Sequence, residues 1–157
     1  MENELLEYLT LLDGLRNSLE QLTELDQQKT AAVRKDDLAT LNEILKKEQA
    51  LSLSLRGQEQ KRLKLAEALG FQNVPLQQLP NSYPDSLHLR AKETVEKLSN
   101  QYEIYRCAAE VARNTLECNL HEVEKVLEQM GGDVPLGPGY TAPDIDPPAA
   151  MKTDFRA

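Results

Sequence analysis

Apolar positions at the start of the chain recur at helical spacing. Leu5, Tyr8, Leu12, Leu15, Leu19 and Leu22 follow one another at intervals of three and four, which sets them on one helix face with a near-heptad period. Leu9 and Leu25 widen the stripe, as a helix inside a bundle requires. The pattern predicts a helix over residues 2–33, with Gly14 a tolerated interior glycine costing about 1 kcal/mol. It breaks at Arg34-Lys35-Asp36-Asp37, where an Asp just ahead of the renewed periodicity at Leu38 and Leu41 reads as an N-cap. A second helix is predicted over residues 37–69. Its seam is Leu38, Leu41, Leu45, Leu51, Leu55, Leu65 and Leu69, with Glu48, Glu59 and Arg62 near the same face and Gly57 weakening the middle. Gly70 is placed to end it in a left-handed turn.

Residues 71–84 contain three prolines and no charge, and predict a long connection with a short helical turn at Leu76 to Leu79. A third helix runs from Pro84-Asp85 to Met130. Its stripe passes from Leu87, Ala91, Val95 and Leu98 through Tyr102, Tyr105, Ala109 and Ala112 to Leu116, Leu120, Val123, Leu127 and Met130. Gly131-Gly132 stop it. The remaining residues are rich in proline and poor in large aliphatics, a composition that reads as a disordered tail. The expected fold is therefore all-α. It is an antiparallel bundle of three long helices, the last longer than the others, in a domain over residues 1–132 followed by a flexible tail over 133–157.

Composition agrees and narrows the function. The 157 residues include 27 leucines, no Trp and 4% aromatics, a profile of helical bundles and coiled coils. A net charge of −8 argues against nucleic acid and anionic membrane as main partners. Residues 1–28 carry a net of −6 and residues 29–69 a net of +3, which favours pairing the first two helices as a hairpin. Cys107 and Cys118 lie eleven residues apart on one helix. At about 1.5 Å per residue they cannot bridge, so free thiols point to the cytoplasm. The first residues lack the positive region of a signal peptide, and no apolar run is long enough to span a membrane.

Helix length carries the functional expectation. In an up-down-up arrangement the first helix covers the third as far as about Leu116. A projection of roughly 20 Å remains, still bearing Leu116, Leu120, Val123, Leu127 and Met130 at intervals of four and three. An uncovered seam of this kind is a binding surface, and its natural ligand is an amphipathic helix. The competing expectations are self-association through the same stripe, or coverage by the tail or by Leu76–Leu79.

Signs of catalysis are missing. His88 and His121 stand far apart, neither with a His, Cys or carboxylate four residues on, and read as surface histidines. His88 is followed by Lys92 four residues on and by no glycine, which departs from the pattern of phosphotransfer domains. There is no Gly-rich phosphate loop, GxSxG or HExxH. The cysteines read as small packing residues and the carboxylates as a solvated face. No enzyme, cofactor or metal is expected.

Several stretches resemble FlgN-type flagellar export chaperones. Gln28 through Leu41, with an Ala-rich helix end, an acidic turn and then Leu-x-x-Leu, resembles the family signature. So do Lys46-Lys47-Glu48-Gln49-Ala50-Leu51 with Glu59-Gln60-Lys61-Arg62-Leu63, Asn114 through Met130, and an ending with Gly139-Tyr140 and Asp154-Phe155-Arg156-Ala157. The proline-rich tail and the long 71–84 connection depart from it. The resemblance implies a cytoplasmic, substrate-specific chaperone of flagellar type III export. Such a protein binds the C-terminal regions of the hook-associated junction proteins, prevents premature assembly, and delivers them to the export gate, with export ATPase components as further partners. Client binding would fall to Leu116, Asn119, Leu120, Val123, Leu127 and Met130. Tyr140 is a candidate gate or client contact in the tail, or else a solvated residue. Neither nucleic acid nor stable membrane insertion is implied, and a weak homodimer is compatible. The alternative is a structural coiled-coil protein that homo-oligomerises through the same seam.

Overall fold

A computed structural model of the chain describes residues 1–131. Three α-helices, α1 (Glu2–Arg34), α2 (Leu38–Leu69) and α3 (Asp85–Gln129), are joined by a tight turn and by a connection that includes a 3₁₀ segment, Leu76–Ser82. The expected tail and Tyr140 lie outside the described residues.

Each helix end has a local cause. Asp37 caps α2, its carboxylate accepting the Thr40 backbone N–H at 3.2 Å. The turn before it needs a left-handed residue, and Asp36 takes that role with φ of 53°, which Asp tolerates better than most side chains. That is how the chain reverses without Gly or Pro. At the far end of α2, Gly70 adopts φ of 77° and its N–H bonds back to Glu67 O.

The wide stripe of α1 is explained by its position: it packs against both α2 and α3. Tyr8, Leu9, Leu12, Leu15, Leu19 and Leu22 are buried, meeting Leu55 and Ala66 of α2 and Ala91, Val95, Leu98 and Tyr105 of α3 in one cluster. Side-chain bonds from α1 to α2 join Tyr8 to Arg62, Ser18 to Gln58 and Lys29 to Glu48, so the two run antiparallel. The Tyr83 hydroxyl donates to Leu5 O and Gln101 to Thr23, both over 78 residues; α3 is therefore parallel to α1 at that offset. Phe71 lies edge-on to Tyr8 at 5.6 Å between ring centres and 5.9 Å from Tyr83. With Leu76 and Leu79 these rings close the end of the body opposite the α1–α2 turn.

Four expectations need correction. Leu38 is 71% exposed because it starts α2, directly after the turn; Ile44 is buried instead, with Leu25 and Ala32. Cys107 and Cys118 do share a face, but both are exposed, since helical spacing turns them away from Leu98 and Tyr105. His88 is half-buried, with Nδ1 2.8 Å from Pro80 O, because the 3₁₀ segment folds onto the start of α3.

The carboxylates do not all lie on a solvated face: Asp26, Glu48 and Glu59 are buried, each near a buried cation. Lys29 Nζ lies 2.8 Å from Glu48 Oε2 and 3.3 Å from Asp26 Oδ1. Arg62 Nε donates to Glu59 Oε2 at 2.9 Å and its Nη1 donates to the Tyr8 hydroxyl at 3.0 Å. Burial pushes the Asp26 carboxyl up to about 6; Lys29 pulls it down, and the Glu48 charge adds to the rise. Burial opposes the charge on Lys29, but the Glu48 hydrogen bond and charge still hold it above the usual lysine range. Tyr105 of α3 is pushed up by burial first and then by Asp26 and Glu48.

Candidate functional site

The 78-residue offset brings Arg34, the last residue of α1, level with Ala112, the last buried residue of α3. α3 continues to Gln129 without a break, so about 25 Å of helix projects past α1 at 1.5 Å per residue. The seven-residue repeat of Ala91, Leu98, Tyr105 and Ala112 continues into the projecting part as Asn119 and Val126, and the repeat of Val95, Tyr102 and Ala109 continues as Leu116, Val123 and Met130. Leu116, Val123 and Met130 therefore stay at the edge of the face that packs on α1 further back, while Leu120 and Leu127 follow the register of the exposed Lys92, Arg106 and Arg113 and turn away from it.

Exposure rises along this projection. Leu116 and Asn119 are half-buried at the edge of the body. Leu120 is 37% exposed, Val123 41% and Met130 79%, while Leu127 is half-buried. The structure thus separates the predicted residues into two groups. Asn119 lies beside the α1–α2 turn, lining an open groove of about 550 Å³ with Val33, Arg34, Asp36, Asn114 and Thr115. Leu120, Val123, Leu127 and Met130 do not line it. The 3₁₀ segment packs against α3 at the other end of the body, so Leu76–Leu79 does not cover the seam.

Sequence reasoning missed a second line of apolar residues on a flank of α3. Ile104 and Val111 are exposed and line a groove of about 640 Å³ with Cys107, Ala108, Gln27 and Thr30, and Val126 is exposed further along. Ile104, Ala108 and Val111 follow a four-then-three spacing that was legible but weaker than the leucine stripe beside it. Among the described residues no group of His, Cys, Asp and Glu is arranged to hold a metal ion. Among the described residues no helix is long and apolar enough to cross a membrane.

The projection carries an apolar strip of Leu120, Val123, Leu127 and Met130. A family model described as FlgN protein matches residues 1–140, and the chain belongs to that family. FlgN proteins are chaperones of flagellar export, and the resemblance in the sequence is confirmed at that level. Comparison with curated proteins and with solved structures gave no significant match.

Proposed function

We propose that this chain is a cytoplasmic chaperone that holds a hook–filament junction protein by its C-terminal amphipathic helix and delivers it to the flagellar export gate. In this reading α1, α2 and α3 work as one up-down-up bundle that fixes the projecting tip. The client helix lies along Leu116, Asn119, Leu120, Val123, Leu127 and Met130. Tyr140 and the rest of the tail are assigned to contact with the client or the gate.

The observation that supports this most is the seam on α3, which no other described element covers. Free junction subunits carry apolar helix faces that would otherwise drive assembly, and a helix face laid on a matching seam removes both from water. Full burial of a large side chain is worth roughly 1.5–3 kcal/mol. Leu116, Leu120, Val123 and Leu127 are already partly shielded, so each contributes less. Several together still exceed the cost of association and support micromolar or tighter binding.

Size measurement by sedimentation tests the proposal. The free chain is expected to sediment as a monomer or weak dimer and to form a 1:1 complex with a junction-protein C-terminal fragment. A stable homo-oligomer at low micromolar concentration that ignores the fragment would favour a structural coiled coil instead.

A further inference from the structure

The projecting seam is unequal at its two edges. The residues that follow Leu116, Val123 and Leu127 are all glutamates: Glu117, Glu124 and Glu128. One residue is about 100° of helical turn, so all three lie along the same edge of the seam, an edge that His121 shares. All three are exposed, and none forms an ion pair among the described residues. The opposite edge carries Thr115, Asn119, Val126 and Gln129, with Glu122 its one acid.

This asymmetry discriminates between occupants. A second copy running parallel would set Glu117, Glu124 and Glu128 against the edge of Thr115, Asn119, Glu122, Val126 and Gln129, which carries no cation to pair with them. Two copies can meet tip to tip in antiparallel fashion with their bodies apart. A two-fold axis between antiparallel helices, however, sets each edge against its own copy. Three unpaired glutamates would then face three more, and like charges along a helix seam select against pairing.

We propose that the occupant is a helix of a different protein, whose apolar stripe is edged on one side by lysine or arginine. The inference rests on the client-binding reading of the seam and adds the charge pattern that the client must carry. The basic edge meets Glu117, Glu124 and Glu128, which fixes the direction in which the client helix lies.

Two synthetic helical peptides test this, with the same leucine stripe and with either three lysines or three glutamates along one edge. Binding to the full chain is followed by fluorescence anisotropy at about 50 mM and about 300 mM salt, a range over which exposed charges become screened. The lysine peptide is expected to bind at least roughly fivefold tighter at low salt, with the gap shrinking at high salt. Glu117→Lys/Glu124→Lys/Glu128→Lys should reverse the order. The milder Glu117→Gln/Glu124→Gln/Glu128→Gln variant should make the two peptides equal, and circular dichroism confirms that each variant is folded. Equal binding of both peptides to the unmodified chain, lost in Leu120→Asp/Leu127→Asp, overturns the charge inference and leaves the seam as a binding surface. Binding of neither peptide overturns both, as does a stable dimer of the free chain that Leu120→Asp dissociates.

Discussion

Among individual side chains, the buried charges carry the most information. Asp26, Lys29 and Glu48 place two carboxylates and one ammonium in the α1–α2 interface, so one negative charge there lacks a counter-charge when all three are ionised. The Asp26 carboxyl, raised to about 6 from 3.8, takes up a proton in the folded state at a pH where the unfolded chain has none. Its contribution to stability is complete below pH 3.8 and is lost as pH rises through about 6. Asp26→Asn is therefore expected to raise the stability at pH 7 by about 1–3 kcal/mol and to remove part of the decline between pH 4 and 7. Paired thermal melts of the two proteins across that range check it; an Asn variant less stable at pH 7 would contradict it. Arg62→Ala should act in the opposite sense. It strands the buried Glu59 and breaks the bond to the Tyr8 hydroxyl, at a cost of about 3–5 kcal/mol measurable by urea denaturation. These clusters were half legible. The sequence places Glu48, Glu59 and Arg62 near the apolar face of α2, but Asp26 and Lys29 become partners only when α1 and α2 are set in register.

At the level of elements, end signals were the clearest part of the sequence. Asp37 and Gly70 bound α2 as their chemistry requires, and Gly131 follows α3 with φ of 76°. Asp37→Ala should lower stability by about 0.5–2 kcal/mol in the same denaturation experiment, since the Thr40 N–H would lose its partner. The left-handed Asp36 was not legible, because only the geometry of the reversal shows which residue must take positive φ. The stretch from Asp85 was read correctly as one continuous helix. What periodicity cannot show is where its neighbours stop; that comes from the offset to α1. A chain ending at Gly132 is expected to keep the melting temperature of the full chain within a few degrees, because the cores already described close without the tail. A drop of ten degrees or more would show that the tail is packed.

For the molecule as a whole, the central feature is the difference in length between α1 and α3. The body keeps α1 between its two neighbours and so holds α3 along its first part, leaving the last turns as a rigid, greasy rod. The rod and its apolar positions were legible in the sequence; the flank line of Ile104 and Val111 was there only as a weaker spacing beside the leucine stripe, and the exposures bring it out. The most direct test is to titrate a junction-protein C-terminal fragment against the unmodified chain and against Leu120→Asp/Leu127→Asp, with a thermal melt of each. The expected result is saturable binding to the unmodified chain, none to the double variant, and melting temperatures within a few degrees of each other. Undiminished binding by a folded double variant, or a double variant that unfolds because those leucines are core, would contradict the assignment of the tip as the client site.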